Sequence, residues 1–272
     1  MEPKKTRVYM GAPSTGTRAD SQTYALREIA AKYADTIELV YPKQCVHRSF
    51  HDFARNEIVE EFLRSDCDIL WFLDSDICPP THILDLVAKH GDKWQAAGAP
   101  YPIFMVPPGG TEPCVLFTAY KGVVHRDDGS VQGIQLTSVP RAGTEFIDGL
   151  ATGCLFLKRS VFEKLEKPYF EFKYDKESRK MTEGEDLGFC VKVNKQGIQF
   201  FVDYDLVCKH YKTVCLLDIN NYATSMSNAK VLEYDAEVRP KVAELLASVE
   251  VLKAELRKAR SQIQPRPSLY IP

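Results

Sequence analysis

The chain lacks any apolar run approaching the roughly 20 residues that cross a bilayer. Its best stretch, Ile69 to Leu73, is the size of a strand. It also lacks net charge: 35 basic against 37 acidic residues leave −2 at pH 7. That balance excludes a global field that would draw a polyanionic partner and leaves only local patches. No Cys-x-x-Cys pair suggests structural zinc, and the 8 cysteines are scattered through 272 residues rather than packed into a small disulfide scaffold. Cys67, Cys154, Cys190 and Cys208 lie in or beside apolar runs and are expected to be reduced and buried. Met1 to Lys5 has no apolar core of the signal-peptide kind, so a cytoplasmic protein is expected. The turn formers Gly11 to Gly16 lack both the Lys-Ser/Thr ending of a P-loop and the spacing of a GxGxxG fingerprint, which removes the ATPase reading.

What is present alternates between strand and helix periods. Thr6 to Met10 reads as a strand running into the Gly11–Gly16 loop, with a helix over Ser21 to Tyr33. Thr36 to Tyr41 is a second strand. Ser49 to Leu63 is a helix with Phe50, Phe53, Ile58, Phe62 and Leu63 near one face. Asp68 to Leu73 is the continuous apolar run of a strand covered on both faces. Further on come a helix at Ile83 to Lys89, a strand at Gln95 to Tyr101, a loop at Pro100 to Gly110 and a β insertion from Cys114 to Pro140, turning at Asp127-Asp128-Gly129. Gly149 to Leu157 is another buried strand and Lys158 to Leu165 a short helix. Glu171 to Glu183 is polar and reads as a mobile loop. A helix opens at Glu185-Asp186, and short strands at Gln199 to Val202 and Leu206 to Val207 lead to His210. The fold class is α/β: a mostly parallel central sheet flanked by helices, with ligands expected at the carboxyl ends of its strands.

At one such end sits Asp74-Ser75-Asp76, followed by Pro79-Pro80. In an extended chain the two carboxylates point to the same side and offer hard oxygen ligands to Mg2+ or Mn2+, which could bridge to a diphosphate. The bland alternative is an acidic turn capping the next helix. Glu185 and Asp186 open a helix, where acids are favoured by the macrodipole whatever their function. His210 ends a strand-like run, where a lone histidine is often structural, but a neutral imidazole there could ligate the same cation. Ala12, Pro13 and Ser14 in the first loop read on their own as turn formers. Arg18, Arg48 and Arg55 are candidate diphosphate or base contacts, and Lys212 a point charge for the diphosphate.

Together these segments resemble the GT-A glycosyltransferases. Phe72-Leu-Asp-Ser-Asp-Ile77 resembles their DxD motif, Ala54-Arg55-Asn56 their Arg-Asn helix beside the nucleotide, and Thr152-Gly153-Cys154 with the run to Phe162 their acceptor-wall strand and helix. Gly184-Glu185-Asp186-Leu187 is similar to the Glu-Asp motif that opens their catalytic helix, and the order matches from about Arg7 to His210. The resemblance implies a Rossmann-like GT-A fold and a nucleotide-sugar donor, with UDP the usual nucleotide and Ala12, Pro13 and Ser14 as candidate contacts to its base and ribose. It further implies a metal on Asp76 completed by His210, Asp74 and Ser75 near the sugar or ribose, and Asp186, or failing it Glu185, as the base of an inverting transfer.

The rival readings are a sugar nucleotidyltransferase, whose Gly-rich basic signature Gly11 to Arg18 does not reproduce, and a non-catalytic nucleotide-sugar binding protein. The acceptor is left open: sugar, lipid carrier, protein, metabolite and a modified DNA base. The Lys-Arg-rich stretch Lys158 to Lys180 could face DNA, although interleaved acids make a solvated surface the simpler account. Residues 1–230 are expected to form the catalytic domain and 231–272 a helical tail. The tail's apolar positions Val242, Leu245, Val249, Leu252, Leu256 and Ala259 suit packing along the domain or a homodimer seam.

Overall fold

Five consecutive apolar residues leave a strand no face to turn to water, so Ile69–Leu73 folds only where both sides are covered. In the computed structural model it lies inside a seven-stranded sheet with every residue buried. The structure describes residues 4–13, 20–41, 51–105, 114–125, 130–136 and 142–211, all within one unit, Met1–Thr213. The expected C-terminal helix and the Asp127-Asp128-Gly129 turn lie outside the described residues. No described helix is long and apolar enough to cross a membrane.

In chain order the elements are β1 (Thr6–Gly11), α1 (Asp20–Lys32), β2 (Ile37–Val40), α2 (His51–Arg64), β3 (Ile69–Leu73), β4 (Ile77–Cys78), α3 (Asp85–Ala88) and β5 (Ala96–Gly98). There follow β6 (Pro102–Met105), β7 (Cys114–His125), β8 (Val131–Leu136), β9 (Thr144–Ile147), β10 (Gly149–Leu150), β11 (Cys154–Lys158) and α4 (Arg159–Phe162). The last are β12 (Lys173–Tyr174), β13 (Met181–Glu183), α5 (Glu185–Lys195), β14 (Phe200–Asp203), a 3-10 turn at Tyr204–Leu206 and β15 (Lys209–His210). The central order is β2-β1-β3-β11-β5-β14-β9. Strands β2, β1, β3, β5 and β14 share one direction, while β11 and β9 run against it. The sheet is therefore mostly parallel, as expected.

Strand alternation sorts the core into two layers. Val8, Met10, Trp71, Leu73 and Phe156 face the side covered by α1 and α3, through Ile29, Leu84 and Leu86. Tyr9, Leu70, Phe72, Leu155 and Leu157 face the side of α2, α4 and α5, through Ile58, Phe62, Phe162 and Phe189. Trp71 stacks on Phe156 at 5.0 Å between centroids, and Phe170 on Phe189 at 4.4 Å. Cys67, Cys154, Cys190 and Cys208 are free and buried.

Several expectations need correction. The Gly149–Leu157 run is two strands: β10 joins β7 in the second sheet, and β11 enters the centre after a turn at 151–153. A continuous apolar run cannot reveal that break, because both halves are buried. Part of the Pro100–Gly110 loop is β6, paired with β7. The Glu171–Glu183 loop contains the hairpin β12–β13, pinned by Lys173 Nζ to Glu183 Oε1 at 2.5 Å. Leu206 lies in the 3-10 turn rather than a strand, and the Ile83–Lys89 helix shrinks to one turn. On α2 the buried face is Ala54, Arg55, Ile58, Val59 and Phe62, whereas Phe53 is 65% exposed. Phe50 lies outside the described residues.

Of the basic stretch that begins at the end of β11, Arg159 is spent inside the fold, while Lys158, Lys164 and Lys167 make surface contacts. Arg159 donates to the carbonyls of Leu63, Phe62, Ser65 and Cys67, closing the C-terminal end of α2, and lies 4.7 Å from the Phe62 ring centroid. Lys158 sits over Trp94, Lys164 donates to Gln95 and Lys167 pairs with Glu60. An Arg159→Met variant keeps the stem but removes the guanidinium from all four carbonyls, of which only that of Phe62 keeps another donor among the described residues, Ser65. We expect a loss of about 3 kcal/mol, seen as a Tm fall of roughly 6–12 °C. A shift under 2 °C would show that water replaces the guanidinium at no cost.

Candidate functional site

The parallel register of β1 with β3 sets Gly11 beside Phe72, so the segments after both strands leave the sheet at one edge. Ala12, buried, and Pro13, half-buried, therefore emerge beside the acidic triplet. The triplet is not extended. Ile77 N–H donates to the Asp74 carbonyl at 3.1 Å, making residues 74–77 a turn, and Asp74 N–H donates to the Gly153 carbonyl at 3.0 Å. Gln22 from α1, fully buried, donates from Nε2 to the carbonyls of Asp74 and Ile77 at 2.7 and 2.5 Å. One amide thus spans both ends of the turn. Both partners are carbonyls, which only accept, so the NH2 end of Gln22 must face them.

The turn sends the two carboxylates to different partners. Strand β15 pairs antiparallel with β4, setting His210 opposite Ile77, and Tyr211 N–H donates to the Asp76 carbonyl at 2.9 Å. His210 Nε2 then lies 3.3 Å from Asp76 Oδ2, and its Nδ1 lies 2.8 Å from the Pro102 carbonyl. A carbonyl cannot donate, so Nδ1 carries the proton, and in a neutral ring Nε2 presents a lone pair to a carboxylate oxygen. Two acceptors face to face need a positive centre to share, either a proton on Nε2 or a metal ion. This donor set, one hard oxygen and one oriented imidazole nitrogen, fits Mn2+ or Mg2+ with further positions left for diphosphate oxygens and water. Among the described residues no three His, Cys, Asp or Glu side chains form a complete metal-binding group.

Asp74 turns instead to Arg55, whose Nη2 lies 3.3 and 3.4 Å from its carboxylate oxygens, while Arg55 Nη1 donates to Glu185 Oε1 at 2.7 Å. Arg55 is 3% exposed and Glu185 8%, so a buried guanidinium joins the turn after β3 to the first residue of α5. Burial opposes the charge on Arg55, but Asp74, Glu185 and Asp186 outweigh it and hold the guanidinium above its ordinary pKa. Burial likewise raises the Asp74 carboxyl, Arg55 pulls it down without cancelling, and the charges of Asp76 and Asp186 push it up. Burial also raises Glu185 against the pull of Arg55.

Asp186 is half-buried at the N-terminal turn of α5, and one carboxylate oxygen accepts from Leu187 N–H at 2.7 Å. Its charge is felt at Asp74, Tyr101 and Tyr120, so the start of α5 and the acidic turn share one electrostatic neighbourhood. Ser75 is half-buried in the turn. Ser14, Arg18, Arg48 and Lys212 lie outside the described residues. Arg55, expected as a diphosphate contact, and Glu185, the alternative base, are committed to each other. Asn56 is also internal, accepting from Tyr169 and Phe170 N–H and donating to the carbonyls of Asp52 and Phe170.

Two residues escaped the sequence reading. Gln22 shows only as a polar position in an amphipathic helix, and Tyr101 as the end of a small-residue strand. Their roles come from partners 52 or more positions away along the chain. The weight carried by Arg55 can be tested. An Arg55→Met variant leaves Asp74 and Glu185 buried without their cation and should lose about 3–5 kcal/mol of stability, read by urea unfolding. A loss below 1 kcal/mol would mean that the two carboxylates do not depend on it.

No protein-family model and no curated protein matches the chain. Solved structures that match include A197 from STIV, at 16% identity and TM-score 0.48, covering 76% of this chain and 86% of that one. Another is GalNAc-T7, crystallised with UDP, GalNAc and Mn2+, at 11% identity and TM-score 0.45, covering 77% of this chain and 43% of that one.

Proposed function

We propose that the chain is a metal-dependent glycosyltransferase of the GT-A type, moving a sugar from a nucleotide-diphospho-sugar, with UDP the expected nucleotide, to an acceptor hydroxyl. The observation that carries this reading is the Asp76–His210 pair, an imidazole nitrogen 3.3 Å from a carboxylate oxygen in the electrostatic neighbourhood of Asp186. In this reading residues 1–230 make up the catalytic domain and 231–272 a helical tail.

Asp76 and His210 would hold the cation, and Mn2+ or Mg2+ bound there supplies Lewis-acid stabilisation of the departing diphosphate. The Pro102 carbonyl fixes His210 in the tautomer that coordinates. Gln22 and the Gly153 carbonyl hold the turn so that Asp76 need not be ordered when the donor arrives, which lowers the entropic cost of binding. In the displacement the acceptor oxygen bonds to the anomeric carbon as the bond from that carbon to the phosphate oxygen breaks. The electron pair of the broken bond leaves with the nucleoside diphosphate. The proton of the acceptor hydroxyl passes to Asp186, acting as general base, and the sugar inverts at its anomeric carbon. Glu185, held by Arg55, anchors the start of α5 so that Asp186 keeps its place.

The test is thermal stabilisation by uridine, guanosine, adenosine, cytidine and thymidine diphosphates, with Mn2+ or with chelator. At a hundred times Kd a ligand specific to the native state adds about 2.7 kcal/mol. We expect a Mn2+-dependent rise in Tm with UDP, lost in Asp76→Ala. In Asp186→Asn the rise should persist while transfer from the donor falls about 100- to 10,000-fold. No shift with any nucleotide, or a shift indifferent to chelator, would overturn the donor site, and full turnover in Asp186→Asn would remove it as base.

A further inference from the structure

Tyr101 stands where the metal turn, the β15 histidine and the start of α5 meet. Its main chain is fixed on β7: Tyr101 N–H donates to Thr118 Oγ1 at 3.1 Å, and the Tyr101 carbonyl accepts from Thr118 N–H and Oγ1 at 3.1 and 3.2 Å. Its ring meets the His210 ring edge-on, with centroids 5.1 Å apart. The hydroxyl presses on the backbone of residue 153 so closely that a Cβ there would lie 2.5 Å from the phenol oxygen and 2.8 Å from Cζ. Only glycine admits the ring. The carbonyl of that same glycine holds Asp74 N–H, so the phenol oxygen lies beside the acidic turn.

Buried phenols ordinarily find a hydrogen-bond partner. Those of Tyr9, Tyr33 and Tyr204 do, on Glu61, Asp85 and Glu145. Tyr101, 7% exposed, has no hydrogen bond from its hydroxyl to another described residue, and neither does Tyr169, which packs far from the turn against Phe162. A phenol hydroxyl carries its proton at neutral pH and can donate it. A fixed donor without a protein acceptor, against the His210 ring and within the field of Asp74 and Asp186, is placed for a ligand oxygen. The chemistry of an inverting displacement says which one. The diphosphate sits on the cation and the attacking hydroxyl on Asp186, so the group between them is the sugar in transfer.

We propose that Tyr101 is a substrate-contacting residue whose hydroxyl donates a hydrogen bond to an oxygen of the donor's sugar, and that Gly153 is glycine in order to admit it. This rests on the donor reading above. Tyr101→Phe removes the hydroxyl and nothing else. The experiment titrates UDP and a set of UDP-sugars (glucose, galactose, N-acetylglucosamine, N-acetylgalactosamine) against wild type and variant in Mn2+, by calorimetry, with Tm recorded for each protein. The expected result is an unchanged Tm and UDP affinity, with Kd for the preferred UDP-sugar raised about 3- to 10-fold. Equal weakening of UDP and UDP-sugar would place the hydroxyl on the diphosphate and overturn the proposal, as would UDP-sugar binding that does not change. Wild type that binds neither ligand would sink the donor reading itself, a failure visible without the variant.

Discussion

The guanidinium of Arg55 is withdrawn from water between Asp74 and Glu185, and much of the edge of the sheet is arranged around that fact. An unpaired cation at this depth would cost several kcal/mol. Two carboxylates from elements far apart in sequence must therefore close on it together. One belongs to the turn after β3, the other to the first residue of α5. Forming the ion pairs fixes those two elements relative to each other, and with them the residues beside each acid: Asp76 on one side and Asp186 on the other. Charge burial here specifies geometry more than it adds stability.

Around that bridge the turn is held by its own backbone polar groups from three directions. Gln22 reaches from α1, the Gly153 carbonyl from the turn before β11, and the β15 ladder delivers His210. None of these contacts uses the oxygens of the Asp76 carboxylate to shape the turn. The Pro102 carbonyl does for His210 what Arg55 does for Asp74, fixing its direction and leaving the other ring nitrogen for its partner. Side chains held in this way are already ordered before any ligand arrives.

The strand Ile69–Leu73 and the acids after it were legible because a doubly buried strand and a run of hard ligands leave marks in a single local window. The alternation of strand and helix was legible for the same reason. What sequence could not show was which acid served which partner. Asp74 and Asp76 look equivalent in Asp-Ser-Asp, and only the turn hydrogen bond and the arrival of β15 separate them. Arg55 looked like a phosphate contact because it lies in the segment that resembles the Arg-Asn helix beside the nucleotide, and its burial depends on Glu185, 130 residues away. Phe53 misled in the opposite sense: the helix turned so that Arg55 could face inward, and the aromatic was left outside. Tyr101 and Gln22 carry no local mark, since a tyrosine after a strand and a glutamine in a helix are unremarkable until their partners are known.

The account turns on a cation shared by Asp76 and His210. Anomalous diffraction at the manganese edge, from crystals grown with Mn2+ and UDP, reads that position directly. The account predicts a peak within coordination distance of both Asp76 Oδ2 and His210 Nε2, with the Nδ1–Pro102 hydrogen bond intact. A well-ordered nucleotide with no manganese at that pair, or with the ion bound elsewhere, would contradict it.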